Sequence, residues 1–222
     1  MTDYAAHRER RRIEVAGPEG WLAIVAQQLL EEGDNEVPDI GVVHLEGGRA
    51  HLGDRVLRPE EVVPFGGRTL QLVGRAGRVA LRVRDPDRPE RRAFREIPSY
   101  PLAPAWRRAA HLVADPRTIE TTYTIGTTAP AESPGWVEFA DGRLQAIRMG
   151  GRLLLVFGDA TNGKGTYGGG RFLWVDEPVV EVDFNLAENP ACVFTEHAAC
   201  PLPSPENRLA LPVEAGEKYP IA

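Results

Sequence analysis

Asp159, Thr161, Tyr167, Arg171, Asp183 and Asn185 fall close together in the C-terminal half of the chain, with Asn207 further on. A carboxylate can serve as a general base, and a phenol as a proton donor, when each reaches the reacting group by a hydrogen bond. A guanidinium fork matches a carboxylate or phosphate two bonds at a time. These residue types fit non-redox acid/base chemistry on a small anionic molecule. Asp159 or Asp183 would be the base, Tyr167 the donor and Arg171 the anion clamp, with Asn185, Thr161 and Asn207 as ligand contacts. The same set also fits a buried ion pair and hydrogen-bond network that fixes a turn, since structural networks imitate active-site pairs.

A second group is Cys192, His197 and Cys200, in the pattern C-x4-H-x2-C. Thiolates and imidazole are zinc ligands, and three protein ligands plus water form a catalytic zinc site. No fourth ligand stands nearby and the spacing is not a standard one. Two inert thiols and a surface histidine are the favoured reading, so no metal is expected. Cys192 as a nucleophile with His197 as its base ranks lower still.

Residues 158–171, GDATNGKGTYGGGR, contain G-x-x-x-x-G-K and G-x-G-x-x-G. Phosphate loops work because a helix starts directly after the glycines and presents its free N–H groups. Here the glycines are followed by RFLWVDEPVVEVDFN, which is apolar and β-branched. Gly165 stands where a magnesium-binding Ser or Thr is needed. The stretch is therefore expected to be a wide loop between two antiparallel strands. No flavin, nicotinamide or pyridoxal phosphate motif is present, and no cofactor is expected.

These residues need strands to position them. RLLLVF, RFLWV and VVEVDFN read as strands around the loop. In the second, Arg171, Leu173 and Val175 share a face opposite Phe172 and Trp174. In the third, Glu181, Asp183 and Asn185 share a face. GWVEFADGRLQAIRM reads as a hairpin turning at Asp141-Gly142. GVVHL with RAHL, and RTLQLV with RVALRV across GRAG, read as two more. TIETTYTI alternates, with Ile119 and Thr121 on one side. RLALPV reads as a last short strand. Residues 85–110, rich in proline, read as an irregular strap or lid.

Helix signals are confined to the start. YAAHRERRR has helical composition without an apolar stripe. PEGWLAIVAQQLLEEG places Trp21, Val25 and Leu29 on one helical face between Pro18 and Gly33. The expected organisation is a helical segment over residues 1–35 and a β-rich domain over 36–222. The fold class is mainly β, a single antiparallel barrel or sandwich-like domain with an N-terminal helical segment.

FGDATNGKGTYGGGRFLWV, VDFNLAENPACVF, CPLPSPENRL and EAGEK occur in that order. Together they resemble the bacterial and archaeal family called domain of unknown function 1684. The resemblance is specific over about residues 135–218 and looser over 70–134. It implies a β-rich domain and supplies no reaction. Where the family has NPPC and CPLPP, this chain has Asn189-Pro190-Ala191-Cys192 and Cys200-Pro201-Leu202-Pro203-Ser204.

The chain has 222 residues, 42% of them hydrophobic, and a formal net charge of −6. An acidic balance argues against a nucleic-acid partner and against anionic membranes. No stretch has signal-peptide or membrane-spanning character, and a cytoplasmic location is expected. Oligomeric state is left open. Two functions from different classes fit: a small-molecule enzyme with a pocket at the Asp159/Arg171/Asp183 cluster, or a non-catalytic ligand-binding or interaction module in which that cluster is structural. A dry, fully paired network would favour the second.

Overall fold

The structure, a computed structural model, describes residues 2–75 and 78–220. The chain divides into two compact units, Glu9–Arg95 and Met1–Arg8 with Glu96–Ala222.

Helix α1 spans Tyr4–Ala16. Its charged residues pair one turn apart, Arg12 with Glu9 at 2.7 Å and Arg11 with Glu14 at 2.8 Å, which supports a helix lacking an apolar stripe.

In the Glu9–Arg95 unit, β1 (Ile24–Leu30), β2 (Gly33–Val37), β3 (Gly41–Glu46), β4 (Arg49–Leu52), β5 (Arg55–Leu57), β6 (Val62–Phe65), β7 (Arg68–Arg75) and β8 (Arg78–Arg84) form two four-stranded antiparallel sheets. Leu30, Val43, Leu45, Leu57, Leu72 and Leu81 pack together in one core. The β3–β4 turn uses Gly47 and Gly48 at φ 54° and 78°, as a two-residue hairpin requires. The β7–β8 hairpin pairs as expected, while residues 76 and 77 of its GRAG turn lie outside the described residues.

The helix expected over residues 18–33 does not form. A 3-10 turn occupies Trp21–Ala23, and β1 follows. The spacing of residues 21, 25 and 29 suits a helical stripe, but antiparallel pairing with β8 decides the outcome. Ile24 and Leu30 are buried, whereas Leu29 is 40% exposed. Tertiary pairing overrides local propensity here.

The segment over 85–110 holds a short helix, α2 (Pro89–Ala93), and a 3-10 turn at Pro104–Trp106. It then enters β9 (Arg107–Thr122), which begins well before the alternating TIETTYTI. β10 (Thr128–Phe139), β11 (Gly142–Met149), β12 (Arg152–Phe157), β13 (Arg171–Val175) and β14 (Glu181–Asp183) complete the second unit. Strand order is β13-β12-β11-β10-β9-β14, all antiparallel. Just past β14, Glu188 exchanges two backbone hydrogen bonds with Phe172 of β13, each 2.9 Å. The sheet therefore nearly closes into a barrel.

Alternation works as expected in the closing strands. Leu153, Leu155, Phe157, Leu173 and Val175 enter the main core, and Leu154, Val156, Phe172 and Trp174 pack on the other face. The β10–β11 turn residues are Ala140 and Asp141, with Phe139 opposite Gly142, one position earlier than the Asp-Gly reading. RLALPV forms no strand. Its Arg208 makes a single bridge to Gly158, and the tail runs on as irregular backbone.

Candidate functional site

The glycine-rich stretch is the connection between β12 and β13. Phe157 and Arg171 face each other across its base, and no helix follows. The loop is held from within. The N–H groups of Lys164, Gly165 and Thr166 all reach the Thr161 carbonyl, at 3.0 to 3.3 Å. The phosphate-loop patterns are thus chance matches, as expected from the missing helix.

Within this connection the Arg171 guanidinium meets the Asp159 carboxylate at 2.9 Å, with neither side chain exposed. The remaining Arg171 contacts are backbone carbonyls of the tail: Val213 at 2.8 Å, Ala215, and Glu217 at 3.4 Å. Its guanidinium lies over the Phe157 ring, 5.3 Å from the centroid. Burial pushes the Arg171 pKa down, and the Asp159 carboxylate pulls it back up. Asp159 Oδ1 accepts from the Thr161 N–H at 2.8 Å, the Thr161 hydroxyl at 2.6 Å and the Val213 N–H at 3.1 Å. Both carboxylate oxygens are therefore taken by the chain itself. Of the side-chain polar atoms of Asp159 and Arg171, Arg171 Nε alone lacks a hydrogen-bond partner among the described residues.

Thr161 passes the network on to Thr166, hydroxyl to hydroxyl at 2.7 Å. Asn162 closes it: its amide donates to Thr166 Oγ1 at 2.9 Å and to the Tyr167 carbonyl at 3.0 Å, and its oxygen accepts from the Asp159 N–H at 2.7 Å. Asn162 and Thr166 were not among the expected site residues. Their spacing within one turn was the only signal.

Asp183 shares no hydrogen bond or ion pair with Arg171 or Asp159 among the described residues and has partners of its own. Its Oδ1 accepts from the N–H and the amide of Asn185, at 3.0 and 2.8 Å, and caps the 3-10 turn Phe184–Leu186. Its Oδ2 accepts from the Tyr4 hydroxyl at 2.7 Å and stands 3.8 Å from Arg107. Asn185 also binds both backbone groups of Ala103 at 3.0 Å. β14 pairs with β9 and β13 with β12; across the near-closure it is Glu188, past the end of β14, that bonds to Phe172 of β13, while Asp183 stands opposite Arg107.

Asn207 is buried and uses its whole amide on two strands. It donates to the carbonyls of Gln145 and Val156 at 3.0 and 2.9 Å, and accepts from the Gln145 N–H at 2.7 Å. It acts as a strut between β11, β12 and the tail. Glu217 is buried too, accepting from the Asn189 N–H at 2.7 Å.

Tyr167 belongs to another place again. Its ring stacks on Tyr219, with centroids 5.8 Å apart, and its hydroxyl is 3.9 Å from the Cys192 sulfur. Burial, and next the Cys192 side chain, pushes its pKa up to about 12. Cys192 and Cys200 are brought together without a disulfide. His197 does not complete a metal site with them: among the described residues no group of three or more His, Cys, Asp or Glu side chains is placed to hold a metal ion.

Beneath the Leu202–Pro205 segment lies a cleft of about 200 Å³, lined among others by Thr121, Gln145, Val156 and Ser204. The Thr121 hydroxyl is buried and has no hydrogen-bond partner among the described residues, while the Ser204 hydroxyl is directed at the Glu206 carboxylate. Both were missed from the sequence, although the alternation at 118–125 already placed Thr121 on one side with Ile119.

The fold is mainly β, a nearly closed antiparallel barrel-like sheet in a chain that opens with a helix. Residues 92–218, more than half the chain, match the family described as Protein of unknown function (DUF1684), and the chain belongs to that family. It is also similar to an uncharacterized protein of Haloarcula marismortui known from a solution NMR structure. That similarity has 25% identity and a TM-score of 0.47, over 60% of this chain and 82% of the other. Comparison with the curated proteins finds no match. Among the described residues no helix is long and apolar enough to cross a membrane.

Proposed function

We propose that the chain is a non-catalytic module that binds a small polar molecule, with the Asp159–Arg171 cluster as part of its scaffold. One observation carries this reading: the carboxylate of Asp159 and both terminal nitrogens of Arg171 are bonded to the chain itself with no exposed side-chain surface. A general base or anion clamp must reach its substrate, and these groups face only protein. Removing such a pair from water is costly, and the tail offsets part of that cost by bonding both terminal nitrogens of Arg171 and Asp159 Oδ1, with Arg171 Nε left unpaired.

The binding reading rests on the cleft beside Thr121 and Ser204. A buried hydroxyl left without a partner costs roughly 1–3 kcal/mol, so Thr121 at this cleft favours an occupant that bonds to it. About 200 Å³ is the liquid volume of roughly six waters, smaller than a drug-sized site, so the ligand is a small polar molecule.

A thermal-shift screen with small carboxylates, phosphates and polyols tests both parts, since a ligand selective for the folded state raises Tm. The rise should persist in Arg171→Lys and vanish in Thr121→Val and Ser204→Ala. A rise that is lost in Arg171→Lys and kept in Thr121→Val would return the site to the arginine cluster and overturn the proposal.

A further inference from the structure

Cys192 and Cys200 are drawn together by three segments that otherwise have little to do with one another. Cys192 sits in the 3-10 turn Ala191–Val193, and its N–H donates to the Cys200 sulfur at 3.2 Å. Cys200 is fixed from its other side by Thr124. The Cys200 N–H donates to Thr124 Oγ1 at 3.2 Å, and the Thr124 N–H donates to the Cys200 carbonyl at 2.9 Å. Tyr167, from the glycine-rich connection, brings its hydroxyl to 3.9 Å from the Cys192 sulfur. The two sulfurs are unequal in access: Cys192 is half-buried, while Cys200 is 5% exposed.

We propose that Cys192 and Cys200 form a peroxide-reactive dithiol, in which Cys192 is oxidised first and Cys200 resolves it into an intramolecular disulfide. This goes beyond the binding reading above and does not depend on it.

The pair is ordered for that sequence. A thiolate is the nucleophile, and its reactivity follows exposure and ionisation. Hydrogen bonding from Cys200, with help from Tyr167 and Thr124, holds the Cys192 thiol down to about 7. The same bond, together with burial, pushes the Cys200 thiol up. The half-buried Cys192 sulfur thus ionises first and the buried Cys200 waits as a thiol.

In the first step the Cys192 thiolate attacks one oxygen of a hydroperoxide. An S–O bond forms, the O–O bond breaks, and the departing oxygen takes a proton and leaves as water or an alcohol. Cys192 is now a sulfenic acid. In the second step the Cys200 sulfur attacks the Cys192 sulfur. An S–S bond forms, the S–O bond breaks, and the hydroxide leaves as water with the Cys200 proton. The dithiol loses two electrons and two protons, and the peroxide gains them. Condensation of a sulfenic acid with a neighbouring thiol is established chemistry. The Cys200 sulfur already rests against the Cys192 backbone, so side-chain rotation can reach disulfide geometry without separating distant elements.

The test is intact-mass analysis of the full chain after hydrogen peroxide, with iodoacetamide counting free thiols. Wild type should lose the mass of two hydrogens and both alkylatable thiols, and dithiothreitol should restore them. Cys200→Ser should stop at a sulfenic acid on Cys192, captured by dimedone. Cys192→Ser should keep its remaining thiol under the same peroxide. Wild type retaining both thiols, cross-linking into dimers in place of the internal bridge, or giving dimedone capture at Cys200 in Cys192→Ser would each overturn the proposal.

Discussion

The guanidinium of Arg171 and the carboxylate of Asp159 meet at 2.9 Å with neither side chain exposed. Asp159 lies just past the end of β12 and Arg171 opens β13, so their pairing locks the base of the glycine-rich connection. Arg171 also holds the carbonyls of Val213, Ala215 and Glu217. One cation therefore ties the connection to the tail. The polar richness of this region is explained by that joint.

The tail's return depends on Gly216. Its φ is +73°, and a Cβ there would stand 2.3 Å from the Ala187 carbonyl oxygen and 2.8 Å from that of Phe184. Both neighbours are backbone. Gly216→Ala combines a left-handed strain of roughly 1–2 kcal/mol with a clash that only backbone movement relieves. Chemical denaturation should show a loss above that strain alone. A variant as stable as wild type would contradict this account of the tail.

Asn207 offers a second stability prediction. Asn207→Ala removes three hydrogen bonds to Gln145 and Val156 and leaves buried backbone groups unpaired. An unpaired buried group costs roughly 1–3 kcal/mol, so the variant should lose about 3 kcal/mol in urea unfolding. Asn207→Asp should do no better, since its carboxylate cannot donate to either carbonyl.

The Cys192 thiol should show its lowered pKa in alkylation. Its thiolate is favoured in the folded chain, so the reactive form is present above about 7 and is lost as pH falls through that value. Iodoacetamide modification of the native protein should rise with a midpoint near 7, well below the ordinary thiol value. Tyr167→Phe removes one hydrogen bond to that sulfur and should move the midpoint upward. A midpoint at the ordinary thiol value in wild type would contradict the described environment.

The sequence made the strands around the loop readable because each carried a two-residue period. Arg171, Leu173 and Val175 alternate with Phe172 and Trp174, and β13 buries them as that pattern requires. The pairing of Arg171 with Asp159 followed from antiparallel neighbours with a loop between. The partners of Asp183 were less legible: β14 pairs with β9, and Tyr4 arrives from the first helix, connections that local spacing does not encode. Residues 18–33 misled by their spacing. Trp21, Val25 and Leu29 fit a helical stripe, and only the partner strand β8 selects the extended form. Asn207 reads as a turn residue until β11 and β12 are placed beside it. The meeting of Cys192, Cys200, Thr124 and Tyr167 depends on several turns closing together, and no motif announces it.

The central claim is that Asp159 and Arg171 hold the fold and do not serve a substrate. A double-mutant cycle of Asp159→Asn and Arg171→Met, read by chemical denaturation, tests it most directly. Breaking a buried pair by removing one partner typically loses about 3–5 kcal/mol. Each single variant should fall in that range, and the double variant should lose clearly less than their sum. Single variants as stable as wild type or more so, as expected when catalytic groups are relieved of strain, would contradict the account.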